Sequence, residues 1–196
     1  PYLGDRRAAE DDGSGGAPFA ADVAISGDTI TEIGPVDGRA RQTIDAYGLA
    51  VAPGFINMMS WANASLIHDG RSQSDIRQGV TLEILGEGWA MGPLNDELKE
   101  YMRERQGDIR YDIEWTTLRQ YLEYLVRRGV SCNVASFVGA GGVRANVLGF
   151  ADRRPNGEEL ARMEALVRQA MAEGAVGLSA ALIYAPDSYA DTAELI

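Results

Sequence analysis

From residue 52 onward, short apolar runs alternate with amphipathic segments, and no other feature of the chain restricts its folding as strongly. Pro53 to Asn57, Val80 to Leu85, Asn133 to Val138 and Val176 to Ser179 have strand length and strand composition. Between them lie stretches with helical spacing. Ser72 to Gly79 can close a short helix on its glycine. Thr116 to Arg128 carries Leu118, Leu122, Leu125 and Val126 toward one helical face and stops at Gly129. Asn156 to Ala172 aligns Leu160, Met163, Val167, Ala170 and Met171, with Asn156 three residues before Glu159 as in a capping box and Gly174 as its break. The methionines there read as core filler. Strands separated by helices cannot pair as hairpins, so each crosses over and returns parallel to its predecessor. The pattern predicts an α/β fold with a parallel sheet, open or closed into a barrel. Four such units over 52–196 amount to half of an eight-stranded barrel, whose open edges and bare inner face need a cover. A further polypeptide segment, in the same or another chain, is expected over Phe55, Ile84, Val134 and Val176.

Residues 1–51 read differently. The first twenty are rich in Asp, Gly and Ala, including Asp11-Asp12-Gly13-Ser14-Gly15-Gly16, and predict a turn or flexible lead-in. Ala21 to Ile25 and Thr29 to Ile33 alternate around a turn at Gly27-Asp28, and Thr43 to Asp45 and Leu49 to Val51 add extended pieces. These make part of a small antiparallel β domain, a share of a β-sandwich, since so few residues bury little apolar surface.

At 196 residues with 45% apolar and 24% charged content, the chain can bury a real core. Its net charge of −11 opposes attraction to nucleic acid or anionic lipid, and no basic patch is visible. Arg127-Arg128 suits the negative end of a helix dipole. The single cysteine, Cys132, sits in an apolar run and reads as a buried thiol. The single lysine, Lys99, leaves one candidate for Schiff-base or carbamylated-lysine chemistry, and its acidic surroundings read as a solvated helix start. No run is long enough to span a membrane and no secretory pattern is visible, so a soluble protein, cytoplasmic or periplasmic, is expected; a chain opening Pro1-Tyr2 lacks its native start, and a lost leader stays open.

The run Val51-Ala-Pro-Gly-Phe-Ile-Asn-Met-Met-Ser-Trp61 resembles the first barrel strand of the amidohydrolase superfamily, which usually reads Pro-Gly-Phe-Ile-Asp-x-His-x-His. Asn57 stands where Asp is usual, and Met59 and Trp61 stand at the two histidine positions. Further stretches resemble the D-aminoacylase branch, the N-acyl-D-amino-acid deacylases. They are Asp12 to Gly15 with Ala21 to Ile25, Gln78 to Thr81, Asn133 through Gly139 to Arg144, and above all Glu173 to Ser179 with Leu182 to Pro186 and Ser188 to Ala190. The resemblance implies a small β domain before a TIM barrel, zinc or another divalent metal that polarises an amide carbonyl and activates water, and a small-molecule N-acyl amino acid as substrate. It also implies a histidine where Ala140 stands and a cysteine ligand where Gly88 stands, just after Glu87. The only histidine, His68, lies outside these motifs and reads as a loop or cap residue, or as a base if its loop folds over the mouth. Most metal ligands would therefore have to lie beyond Ile196.

Barrel enzymes assemble chemistry at the carboxyl ends of their strands, where Asn57, Ser60, Trp61, Glu87, Trp89, Ser179 and Tyr184 are expected to converge. Glu87 is the candidate metal ligand or acid-base group, with a substrate contact or a structural anchor of Gly86 to Trp89 as its other readings. Glu83, within the strand, reads as a polar residue satisfied structurally. Ser60 and Ser179 are candidate substrate contacts. Trp61 and Trp89 line an apolar pocket for an acyl or aromatic group, or pack in the core. Tyr184 is placed to donate to a carboxylate or oxyanion, or is a satisfied loop hydroxyl. Arg144 binds a substrate carboxylate or makes a structural ion pair. The Gly139-Ala140-Gly141-Gly142 loop lacks the Lys-Ser/Thr ending of a phosphate cradle, and a Ser-His-Asp triad is not expected from this chain alone. The leading function is amide hydrolysis in the complete protein; the alternatives are a binding or structural subunit that has lost catalysis and a metal-independent enzyme using Glu87 with residues from the missing half.

Overall fold

A computed structural model describes residues 2–10 and 13–196. Residues 1–54 and 55–196 form two compact units. In the first, the strands β1 (Tyr2–Glu10), β2 (Phe19–Ser26), β3 (Thr29–Gly34) and β4 (Ala50–Val51) make one sheet in the order β3-β2-β1-β4. β2 pairs antiparallel with β1 and β3, whereas β4 lies parallel to β1. The β2–β3 turn falls at Gly27, whose φ of +65° a side chain would resist. Two expectations are corrected. Tyr2–Glu10 is a strand rather than a lead-in turn, since pairing with β2 satisfies its backbone whatever its composition. Thr43 to Asp45 joins no ladder. Asp11 and Asp12 of the predicted turn lie outside the described residues.

The second unit opens with β5 (Phe55–Asn57), α1 (Asn63–His68), α2 (Gln73–Ile76) and β6 (Val80–Leu85). Then come α3 (Asp96–Glu104), α4 (Leu118–Arg128), β7 (Asn133–Ser136), β8 (Val138–Gly139) and α5 (Ala140–Leu148). The helix α6 (Gly157–Ala172), β9 (Leu178–Ser179), a 3-10 turn at Asp187–Tyr189 and α7 (Thr192–Leu195) complete it. β5, β6 and β7 are neighbours in that order, all parallel, with Asn57 opposite Glu83 and Glu83 opposite Val134. β8 pairs parallel with β9, and the Val176 amide donates to the Ser136 carbonyl at 3.0 Å, so the fourth strand lies against the third. The parallel alternation expected from the sequence is thus present in all four strands.

The core lies between this sheet and its helices, around Leu85, Trp115, Leu118, Tyr121, Leu125 and Val138. α4 starts at Thr117, whose hydroxyl accepts from the Gln120 amide while Gln120 reaches back to the Thr117 amide; Asn156 and Glu159 make the same box at α6. The helical faces differ at their margins from those predicted. On α4 the buried residues are Leu118, Tyr121 and Leu125, while Val126 is exposed; on α6 Met163 and Ala170 are buried, while Met171 is exposed. A stripe that turns 100° per residue drifts off the contact line, and Val126 and Met171 sit at that edge. Gly139 to Gly142 is not a loop: helix α5 begins at Ala140 and buries Gly141, Gly142, Val143 and Arg144.

Candidate functional site

The strand β6 ends at Leu85, and the segment Gly86 to Trp89 turns across the ends of its neighbours. Gly86 and Gly88 take φ of +88° and +65°, a region glycine enters without strain. The Ser179 hydroxyl holds this turn from β9, donating to the Gly86 carbonyl at 2.6 Å and accepting from the Gly88 amide at 3.0 Å. Ser179 and Glu87 therefore belong to one turn region beyond β6 and β9, with the Ser179 hydroxyl committed to the backbone. Glu87 is half-buried there, and among the described residues its carboxyl group makes no hydrogen bond or ion pair.

Asp187 is the site residue that sequence reading missed. It is 3% exposed, its Oδ2 accepts from the Ala181 amide at 2.7 Å, and its Oδ1 is buried without a partner. The carboxyl group sits over Gly141 in the first turn of α5, where a Cβ would come within 3.0 Å of it. Burial pushes the Asp187 carboxyl above its ordinary range; the Ala181 amide and Arg144 oppose this, and Glu194 and Glu87 add to it. A lone Asp following Pro186 reads as turn chemistry, so only the pairing of a small residue at 141 with an acid 46 positions later could have hinted at it.

Other expected residues take other places. Ser60 is buried, and its hydroxyl donates to Glu83 at 2.6 Å while accepting from the Ala62 amide. Glu83 also accepts from Ser72 at 2.8 Å and from the Cys132 thiol at 3.1 Å, so this fully buried carboxyl ties the ends of three segments together. Cys132 is buried as expected, and burial and Glu83 push its thiol up to about 11, which makes it a poor nucleophile. Arg144 is 1% exposed, pairs with Glu194 and donates to the Ala151 and Arg153 carbonyls, so its ion pair is structural in this chain. Tyr184 is 61% exposed, next to the Ala181 turn. Asn57 accepts from the Met59 amide at 3.4 Å at the end of β5. His68 is the last residue of α1 rather than a loop residue, and its carbonyl accepts from Arg128. Lys99 donates to Thr116 at 2.8 Å.

Trp61 is 67% exposed and Trp89 half-buried, and both line one recess. Trp89, Tyr101 and Phe150 form a three-ring cluster, with the Trp89 centroid 6.0 Å from each of the other two and those two 4.6 Å apart.

Metal chemistry can be tested against these donors. A catalytic zinc takes three or four nitrogen, oxygen or sulfur ligands near 2 Å. Among the described residues no three His, Cys, Asp or Glu side chains stand together to hold an ion. Met59 and Trp61 offer no imidazole, and at Gly88 a Cβ would lie 2.6 Å from the Ala181 Cβ, so the backbone itself is closed to a larger ligand. The residues present do not fit a metal centre of their own.

No family model matches the chain. It is 33% identical over 190 residues to a D-aminoacylase of Alcaligenes xylosoxydans xylosoxydans, a match covering 94% of this chain and 38% of that protein. It is 30% identical to an N-acyl-D-aspartate deacylase of the same organism, covering 94% of this chain and 37% of that protein. A crystal structure of D-aminoacylase superposes on all of this chain with a TM-score of 0.83 at 30% identity, over 42% of its own length. An N-acyl-D-glutamate deacylase from Bordetella bronchiseptica, solved with zinc and a phosphonate mimic of the tetrahedral intermediate, gives a TM-score of 0.82 at 25% identity, covering 96% of this chain and 40% of its own. The chain thus spans well under half the length of these relatives.

Proposed function

Because this chain is related over nearly its whole length to the D-aminoacylase branch of the amidohydrolase superfamily, we propose that it forms the first four units of a (β/α)8 barrel that hydrolyses the amide bond of N-acyl amino acids in the complete protein. The observation that carries this reading is the alignment of 94% of the chain with an enzyme described as a D-aminoacylase. Residues 1–51 are then part of a small β domain and 52–196 the barrel portion. Four parallel strands in sequential order support that arrangement, because a barrel is built by repeating this step.

Within that reading Glu87 is the proton-handling group. It stands just past a strand end, half-buried and, among the described residues, with a carboxyl group free of hydrogen bonds and ion pairs, as a group must be to reach a substrate. Ser179 is a positioning residue: it fixes the turn on which Glu87 rides. Asp187 lies close enough to Glu87 for the Glu87 charge to add to what holds the Asp187 carboxyl above its ordinary range. The relatives are described with zinc, copper and a binuclear metal centre, and a divalent metal is proposed for the complete protein, with Glu87 as a donor from this chain.

The closed backbone at Gly88 favours a second reading, a binding or structural subunit that no longer catalyses. One experiment separates the two. The protein carrying this chain at the length of its relatives is assayed against N-acetyl-D- and N-acetyl-L-amino acids, with metal content measured by mass spectrometry. Release of free amino acid, reduced by about 100-fold or more in Glu87→Gln, is expected. No turnover of either enantiomer series and no bound metal would leave the non-catalytic reading.

A further inference from the structure

The recess beside Trp61 has about 630 Å³ of space, within the range of about 300–1,000 Å³ usual for small-molecule pockets. Its walls come from three places: Trp61 just past β5, Trp89 just past β6, and Tyr101, Met102 and Tyr111 from α3 and the segment after it. Such a wall is apolar, flat and rigid, and it recognises a ring by dispersion and edge-to-face contact. The rim adds no net charge preference, because Arg105 and Asp108 both border it. The Arg105 guanidinium already lies 3.8 Å from the centre of the Tyr101 ring, which leaves Trp61 as the open indole face. The side-chain oxygen of Asn63, buried without a hydrogen-bond partner, lies in the same wall.

Trp61 is 67% exposed at the edge of this recess. Trp89 and Tyr101, which also line the recess, are already paired with each other and with Phe150, with Tyr101 and Phe150 centroids 4.6 Å apart. A guest ring between Trp61 and this stack would bury the indole and complete the aromatic run.

We propose that this recess binds a neutral aromatic group, with Trp61 as one wall and the Trp89–Tyr101 stack as the other.

The test uses benzyl alcohol, which has the ring and no amide to hydrolyse, and ethanol as the ring-free control. This chain's three tryptophans are read in the ¹H–¹⁵N spectrum of the full-length protein at the indole peaks of Trp61, Trp89 and Trp115, each assigned by single replacement; Trp115, 1% exposed in the core, serves as internal reference. Benzyl alcohol should shift the Trp61 and Trp89 peaks and leave Trp115 still, ethanol should shift none, and Trp61→Ala should weaken binding at least fivefold with an unchanged melting temperature. Shifts spread equally over all three indoles, equal responses to the two alcohols, or undiminished binding in Trp61→Ala would each overturn the proposal. Ring binding without amide hydrolysis would sink the enzymatic reading alone, and hydrolysis without ring binding would sink the pocket alone.

Discussion

At the residue scale, the mouth of the parallel sheet is controlled by what glycines exclude and what one acid endures. Gly88 combines a φ of +65° with an Ala181 Cβ 2.6 Å from where its own Cβ would be, so two independent penalties act on any side chain there. Gly88→Cys should lower stability by about 2–4 kcal/mol, from left-handed strain plus overpacking, and Gly88→Cys with Ala181→Gly should recover part of it in a urea titration. A Gly88→Cys protein as stable as the parent would refute the closure argument. Asp187 gives a pH signature. Its folded-state pKa is raised, chiefly by burial, so the native state holds the proton more tightly than the unfolded chain. The stability it contributes is present below about pH 4 and falls as pH rises through the folded value. Asp187→Asn should therefore raise the melting temperature relative to the parent at pH 7 and bring little or no gain at pH 4; equal shifts at both pH values would count against a raised pKa.

At the scale of the elements, boundary chemistry is local and packing is not. The boxes of Thr117 with Gln120 and Asn156 with Glu159 each satisfy two backbone donors that a helix start leaves open. Thr117→Ala and Asn156→Ala should each cost about 1 kcal/mol, read as a shift in denaturant midpoint with an unchanged slope. The box at Asn156 and the ends at Gly129 and Gly174 were legible in the chain because a cap involves residues only a few positions apart. Helix α5 was not. Its opening Ala140-Gly141-Gly142 carries glycines that disfavour a helix, and burial overrides that preference by packing the backbone closely under Asp187 and Trp89. Ser60 illustrates the same limit: its place after the first strand suggested a substrate contact, yet its hydroxyl is held by Glu83, 23 residues later.

At the scale of the molecule, the second unit keeps a large apolar surface open. Phe55, Ile56, Met58, Met59 and Trp61 are each more than half exposed, and so are Leu182, Ile183 and Tyr184. Ile84, by contrast, is buried, so the open face expected around Phe55 and Val176 does not extend evenly across the sheet. Patches of this kind drive association. The 196-residue chain alone should scatter light as an oligomer or bind a hydrophobic dye; a compact monomer that unfolds cooperatively and binds no dye would argue against an uncovered barrel half. The sequence by itself determined the alternation of strand and helix, the parallel pairing that follows, and the absence of the histidines, because period and residue type are properties of neighbours along the chain. Tertiary structure alone decided that Gly88 is closed, that Arg144 is consumed by Glu194, that Asp187 enters the mouth, and that Trp61 faces a recess, because each depends on which distant segment arrives within contact distance, and no local pattern encodes that.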